Sequence, residues 1–459
     1  MPTSSEKKKH VAVFAFPFGS HPLPLLNLVL KLAKAAPHVT FSFINTATSN
    51  QSLFSKPHIP LNVKPFTVSD GVPEGHVWGT HPFEKLDLFL QAGHENLQKG
   101  LDLAVQETHQ RVTCVIADAF VTPSLIEAQN LNVPWIPLWL PLPFSLSAHF
   151  YTDLIRQKNA NSEYERENRT LDFIPGYSEI QIKDLPETVL NSGEESTFSK
   201  ALDSMGTVLP QAKAVVISSY EELDPPRFVK DMKAKLQSML YVGFLTVSLP
   251  LSPLPPSATD GIGCLTWLDK QSAKSVAYIS FGTAVTPPPH ELVAVAEALE
   301  ESGVPFIWSL KDPLKGFLPN GFLERTNMRG EVVPWAPQAQ VLAHDAIGVF
   351  VTHCGFSSLT ESIANGVPMI CRPYFGDQVM AGRMLEDVWG IGVRIEGGVF
   401  TKDGLLKSLN LIFVQEEGKK IREKVQIVKK SVTDAAGPDG IAGRDFKNLV
   451  EIISEHLIC

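Results

Sequence analysis

The sequence predicts an α/β protein of two Rossmann-like domains, each built on a parallel sheet and facing the other across a central cleft. Two observations carry this. Short β-branched apolar runs alternate with helical stretches from end to end, the pattern of βαβ units. The alternation is interrupted at residues 248–259, SLPLSPLPPSAT. So proline-rich a stretch continues neither helix nor sheet and reads as a linker. Before it, strands are expected at residues 10–16, 39–44, 114–117 and 214–218; after it, at 275–281, 305–309, 348–352 and 367–371. The domains are therefore read as 1–247 and 260–440, with 248–259 as linker. Residues 441–459 form a separate C-terminal element, amphipathic over about 444–457. No internal repeat is visible.

A chain of 459 residues, 44% hydrophobic and 19% charged, buries cores of this size without difficulty. The net charge of −9 excludes the basic footprint of a nucleic-acid binder. An anionic ligand must then be held by local dipoles and a few cations. The five cysteines, Cys114, Cys264, Cys354, Cys371 and Cys459, form no C-x-x-C pair. They are read as reduced thiols of a cytoplasmic protein. The N-terminal apolar stretch is broken by Pro17, His21, Pro22 and Pro24, a poor signal-peptide core, and no run reaches the roughly 18 apolar residues of a membrane span.

In open α/β sheets, ligands bind beyond the carboxyl ends of the strands. Four polar groups fall there. His21 follows the first strand after the loop Phe18-Gly19-Ser20, Asp118 follows Val115-Ile116-Ala117, Gly282-Thr283 follow Ser280-Phe281, and His353 follows Val351-Thr352. His21 is a residue type suited to taking a proton from a hydroxyl, and Asp118 is a candidate to hold its other ring nitrogen. The bland alternative is a loop-capping histidine and a turn aspartate. Lone histidines such as His58, His76 and His290 are read as surface or structural.

Residues 335–378 are the most informative window: WAPQAQVLAHDAIGVFVTHCGFSSLTESIANGVPMICRPYFGDQ. A buried strand ends at His353-Cys354-Gly355, and Ser357-Ser358 open a helix. Such a junction gathers free N–H groups and the positive helix end, a ready anion site. His353, Ser357 and Ser358 add donors for a diphosphate, and Thr283 reaches it from the neighbouring loop. Glu361 suits a ribose diol, although Ser358-Leu-Thr-Glu361 also fits a helix capping box. Trp335, in a proline-flanked turn, offers a stacking face worth roughly 1–3 kcal/mol per base. Gln338 is a candidate ribose contact, and Asp377 and Gln378 are candidates for sugar hydroxyls. These parts describe a nucleotide-sugar site.

The same window resembles the signature box of plant UDP-dependent glycosyltransferases, with WAPQ, VLAH, FVTHCG, ES, GVP and DQ in place. Segments HVAVFAFPFGSH, SDGVPEG, CVIADAF, YISFGT and RIEGGVFTK are similar to the subgroup acting on the 3-hydroxyl of flavonoids and anthocyanidins. The resemblance implies a GT-B fold. It also implies inverting, metal-independent transfer of a sugar, most simply glucose because Gln378 ends the box, to a flavonoid-type hydroxyl. His21 would be the base and Asp118 its support. Ser20, Thr283, Trp335, Ala336, Gln338, His353, Gly355, Phe356, Ser357, Ser358, Glu361, Asp377 and Gln378 would hold the UDP-sugar. Phe16, Phe120, Leu140 and His149 would hold the acceptor, with Phe14, Trp139 and Phe144 as further candidates for an apolar pocket. No cofactor is implied beyond the UDP-sugar co-substrate, no metal, no nucleic acid and no membrane span, and the chain is read as a monomer. The C-terminal helix would cross back onto the first domain.

The sequence departs from the family where Phe356-Ser357 replaces a usual Trp-Asn pair, where Leu140 replaces a frequent Thr, and where Phe83 and Pro186 stand in place of Gln residues near the acceptor. An acceptor pocket more apolar than usual follows. Two alternatives stand beside this reading: another phenolic or a terpenoid acceptor, and a UDP-sugar-binding protein with little catalysis.

Overall fold

Two sheets, wholly parallel in their strand pairings, organise the computed structural model, which describes residues 9–55, 59–79, 83–159, 169–190, 196–254, 256, 260–283 and 285–455. The first contains β1 (Lys9–Phe14), β2 (Val39–Thr46), β3 (Val63–Val68), β4 (Cys114–Asp118), β5 (Trp135–Trp139), β6 (Val215–Ile217) and β7 (Met239–Tyr241), in the order β3-β2-β1-β4-β5-β6-β7. The second contains β8 (Val276–Ser280), β9 (Phe306–Ser309), β10 (Gly330–Val333), β11 (Ile347–Thr352), β12 (Met369–Cys371) and β13 (Gly392–Arg394), in the order β10-β9-β8-β11-β12-β13. Helices link successive strands, which right-handed parallel connections require.

The shared order creates the site. Each sheet reverses direction once, between β1 and β4 in the first and between β8 and β11 in the second. Such a switch point splays the loops beyond the strands and leaves a crevice. His21 and Asp118 lie beyond β1 and β4; Gly282 and His353 lie beyond β8 and β11.

Every expected strand is present within a few residues. Five others were not expected: β3, β5, β7, β10 and β13. β3 and β5 contain Pro65 and Pro137, and proline counts against a strand because it lacks a ladder donor. β7, β10 and β13 are only 3–4 residues long.

The domains are closely packed against each other. Arg383 donates to Asp184 at 2.8 Å and to Gln181 at 2.8 Å, and Trp389 Nε1 donates to the Leu223 carbonyl at 2.8 Å. Thr246 and Thr360 hydroxyls meet at 2.8 Å. Asp184 is only 1% exposed, so its charge needs Arg383, and removing one partner of such a pair is costly.

The C-terminal helix Ile441–Ser454 returns to the first sheet. Its Leu449 and Ile453 pack in the cluster that holds Val11, Val13 and Leu240, and Asp445 accepts from the Tyr241 N–H at 2.8 Å. Burying each of those two side chains stabilises this return by roughly 1.5–3 kcal/mol. The Lys9 ammonium donates to the carbonyl of Glu455. Residues 456–459, with Cys459, lie outside the described residues, as do His58 and residues 255 and 257–259 of the linker.

One expectation about cysteine is corrected. Cys354 and Cys371 are joined in a disulfide with Cα atoms 5.6 Å apart, while Cys114 and Cys264 are free and buried. Spacing conceals this pair. Thr352 and Cys371 are register partners on adjacent strands, and Cys354 lies just beyond β11 in the left-handed region, φ +63°. The parallel ladder thus brings together two residues 17 apart in sequence.

Candidate active site

His21 precedes the helix Pro22–Ala35, whose first-turn prolines suit a position where backbone N–H groups have no helical partner. Its Nδ1 is 2.8 Å from Asp118 Oδ2. The other carboxylate oxygen, Oδ1, accepts from the Phe120 N–H at 2.9 Å. Asp118 is 1% exposed, and both its oxygens are therefore committed. A carboxylate on Nδ1 fixes the proton there and leaves Nε2 as the basic nitrogen. The loop-cap and turn-residue alternative is thereby set aside: the pair forms, and Nε2 has no protein partner among the described residues.

Aromatic rings surround this base. Phe16 lies 5.3 Å and Phe120 4.9 Å from the His21 ring. Phe198 lies 5.5 Å from Phe120, 6.0 Å from Phe16 and 5.4 Å from Phe83, while Phe18 and Phe89 pack against Phe16 at 5.0 and 6.1 Å. Phe198 is held by Asp87, which accepts from the Phe198 N–H at 2.8 Å and from Ser196 Oγ at 2.8 Å. The sequence reading missed Phe18, Phe89 and Phe198 as site residues. No motif marks Phe198, which reaches the site only because the helices Glu84–Gln91 and Thr197–Asp203 pack together.

The other acceptor candidates divide. Trp139 touches Phe120 at 5.9 Å, with its N–H directed at the Leu142 carbonyl. His149 meets Trp139 at 5.5 Å and is 7% exposed; burial holds its pKa down, at about 4, against a hydrogen bond to the Leu202 backbone carbonyl. It therefore adjoins the cage through Trp139. Leu140 is half-buried beside it. Phe14 and Phe144 are core, fully buried, Phe144 against Tyr177 and Phe228. Aromatics at strand ends serve either purpose, and sequence does not separate them. His76 pairs with Glu84 at 3.0 Å, and His290 is exposed.

Across the cleft, the helix Phe356–Asn365 begins at Gly355 with no side-chain cap. A Cβ on Gly355 would stand 2.4 Å from His353 Nε2, and one on Gly282 would stand 2.8 Å from His353 Cε1. Two glycines thus make room for the imidazole. Burial pushes the His353 pKa down to about 4, so the ring is neutral at pH 7, and its buried Nδ1 has no partner among the described residues. A buried polar atom without a partner is uncommon and suits a ligand.

The capping-box alternative for Glu361 does not hold. The helix starts at Phe356, which places Ser358 inside it, and Glu361 instead accepts from Gln338 Nε2 at 2.9 Å. Gln338 also donates to Ser358 Oγ at 3.2 Å and accepts from the Tyr278 hydroxyl at 3.2 Å. Burial raises the Glu361 pKa to about 7, against the Gln338 hydrogen bond. Trp335, an indole in a turn, is 59% exposed, whereas Ala336 beside it is 3% exposed and offers only backbone. Phe356 and Ser357 are half-buried; Thr283 and Ser20 are exposed, and the Thr283 carbonyl takes Lys311 Nζ at 3.1 Å.

Asp377 and Gln378 open the helix Gln378–Arg383. The Gln378 carbonyl accepts the N–H groups of Tyr374 and Phe375 at 2.9 and 3.3 Å, which closes the loop and directs its amide nitrogen elsewhere. Asp377 accepts from the Leu142 N–H at 2.8 Å, an interdomain contact. Burial raises its pKa, opposed by that hydrogen bond and by the charge of nearby His21. The base of one domain and this carboxylate of the other therefore face the same space.

Two parallel-sheet domains with facing switch points, a histidine–aspartate dyad on one and an uncapped helix N-terminus on the other, define a GT-B glycosyltransferase. The model of the family described as UDP-glucoronosyl and UDP-glucosyl transferase matches residues 87–428, and the chain belongs to that family. It is 49% identical over 449 residues to an anthocyanidin 3-O-glucosyltransferase of Vitis vinifera, covering 97% of each chain. It is also 49% identical over 461 residues to an anthocyanidin 3-O-galactosyltransferase of Rhododendron delavayi, covering 99% of each. A crystal structure of an anthocyanidin 3-O-glucosyltransferase in complex with UDP superposes with a TM-score of 0.93, at 58% identity over 98% of this chain and 99% of that one.

Proposed function

We propose that the enzyme transfers glucose from UDP-glucose to the 3-hydroxyl of a flavonoid-type acceptor, inverting the anomeric centre. The observation that carries this reading is the His21–Asp118 pair, 2.8 Å apart, set in an aromatic cage and facing Asp377 of the other domain. His21 Nε2 takes the proton of the acceptor hydroxyl, whose oxygen bonds to the anomeric carbon. The bond from that carbon to the diphosphate breaks, and its electron pair leaves on UDP. Negative charge develops on the diphosphate beside the N–H groups of Gly355 and Phe356, His353, Ser357 and Ser358. Fixed donors at such a place stabilise the transition state without reorganising. Trp335 stacks on uracil, Glu361 and Gln338 take the ribose diol, and Asp377 and Gln378 take sugar hydroxyls. In this reading the chain works in the cytoplasm as a monomer; among the described residues no helix is long and apolar enough to cross a membrane.

The test is an acceptor screen with UDP-glucose and UDP-galactose in parallel, read by mass spectrometry. A flavonoid monohexoside formed faster from UDP-glucose supports the reading. Preference for galactose corrects the donor, and transfer only to non-flavonoid phenols or terpenoids overturns the acceptor.

Two further results are expected. Glu361→Ala weakens UDP binding in calorimetry by about 1–3 kcal/mol, the cost of leaving polar groups unpaired; unchanged affinity removes Glu361 from the ribose. Transfer persists in EDTA, because neutral donors and a helix terminus neutralise the leaving diphosphate in place of a cation. A strict requirement for Mg²⁺ or Mn²⁺ contradicts that cradle.

A further inference from the structure

We infer that the phenylalanine cage selects its acceptor by hydroxylation, and that Phe83 and Phe198 are the residues that do so; this rests on the flavonoid reading of the same site. The inference is carried by what surrounds the base. The rings contacting His21 are Phe16 and Phe120, and the rings contacting those include Phe18, Phe89 and Phe198, with Phe83 joining through Phe198. None of these side chains carries a donor or acceptor. Phe16, Phe89 and Phe198 are 3%, 4% and 8% exposed, so the wall they make is dry.

Polar atoms beside the wall are already engaged, and the Lys85 ammonium lies over the Phe18 ring, 5.7 Å from its centroid. The Trp139 N–H is directed at the Leu142 carbonyl, Asp118 holds His21 and the Phe120 N–H, and Asp87 holds Ser196 and the Phe198 N–H. The Asp87 contacts also fix Phe198, at the start of its helix, against Phe16 and Phe120, the rings that touch the base. A 3-hydroxyl presented to His21 Nε2 brings the aryl ring on the adjacent carbon nearest to this wall. A hydroxyl on that ring loses water and meets the carbon of Phe16, Phe89 and Phe198. An apolar pocket rejects an added hydroxyl modestly, by up to roughly a hundredfold.

The expected order of kcat/KM with UDP-glucose is therefore unsubstituted aryl ring above monohydroxylated above dihydroxylated above trihydroxylated, falling roughly three- to tenfold per hydroxyl. Hydroxyls on the fused ring, remote from the reacting oxygen, have less effect. Phe83→Gln and Phe198→Gln, each offering an amide to the ring, flatten the series. The readout is the ratio of kcat/KM for trihydroxylated and monohydroxylated flavonols within one variant, which partial misfolding does not move. Phe83→Leu serves as the control that stays apolar and keeps the ratio. A wild-type series that is flat or rises with aryl hydroxylation overturns the inference, as does a ratio unchanged in both glutamine variants. Absence of transfer to every flavonoid instead removes the function reading itself, so the two failures are distinct.

Discussion

His21→Ala is expected to lower kcat by roughly 10²–10⁴, the usual contribution of a positioned general base. The imidazole stands 2.8 Å from Asp118 through Nδ1, with the rings of Phe16 and Phe120 packed against it. His353 does not substitute for it: burial holds its pKa at about 4, it is wedged against Gly282 and Gly355, and it belongs to the opposite domain. UDP affinity is expected to remain that of the wild type, since His21 lies on the acceptor domain. Initial rates with saturating UDP-glucose, together with UDP calorimetry, check both halves. Wild-type turnover in the variant removes His21 from the chemistry.

Asp118→Asn is expected to cost nearly as much, up to roughly 10⁴ in kcat, by imposing the wrong tautomer. Oδ1 of Asp118 accepts the Phe120 N–H at 2.9 Å, so in the variant the amide oxygen keeps that place. The amide nitrogen then points its hydrogens at His21 Nδ1. That nitrogen must present its lone pair, which moves the ring proton to Nε2 and blocks the base. Asp118→Ala leaves the ring free to choose its tautomer and is expected to lose less activity than Asp118→Asn. The reverse order, with both variants folded by circular dichroism, would mean that charge and not tautomer is the contribution of Asp118.

Much of this was legible because polar residues at the ends of β-branched runs are conspicuous. His21, Asp118, Gly282 and His353 could each be placed beyond a strand, and parallel-sheet topology does the rest. Other features were hidden for identifiable reasons. β5 contains Pro137 yet pairs along both edges, because its burial between β4 and β6 outweighs one missing donor. Glu361 fits a capping box by spacing, and only the actual helix start at Phe356 shows that its carboxylate turns to Gln338. The Cys354–Cys371 disulfide depends on strand register, which spacing does not reveal. Phe198 joins the cage through packing of the helices Glu84–Gln91 and Thr197–Asp203, far apart in sequence, and no local pattern marks it. Phe14 and Phe144, equally aromatic and near strand ends, point into the core instead.

The account turns on a single displacement at the anomeric carbon by an acceptor oxygen deprotonated at His21. The most direct measurement is the structure of the product formed from UDP-glucose and a simple flavonol, determined by proton and carbon NMR. UDP-glucose carries an α linkage, so attack from the opposite face must give a β-glucoside, and the proposed function calls for attachment at the 3-oxygen. A β-linked 3-O-glucoside, formed roughly 10²–10⁴ times more slowly when His21 is Ala, is the predicted result. An α-linked product, or a β-glucoside formed as fast by His21→Ala as by the wild type, would contradict it.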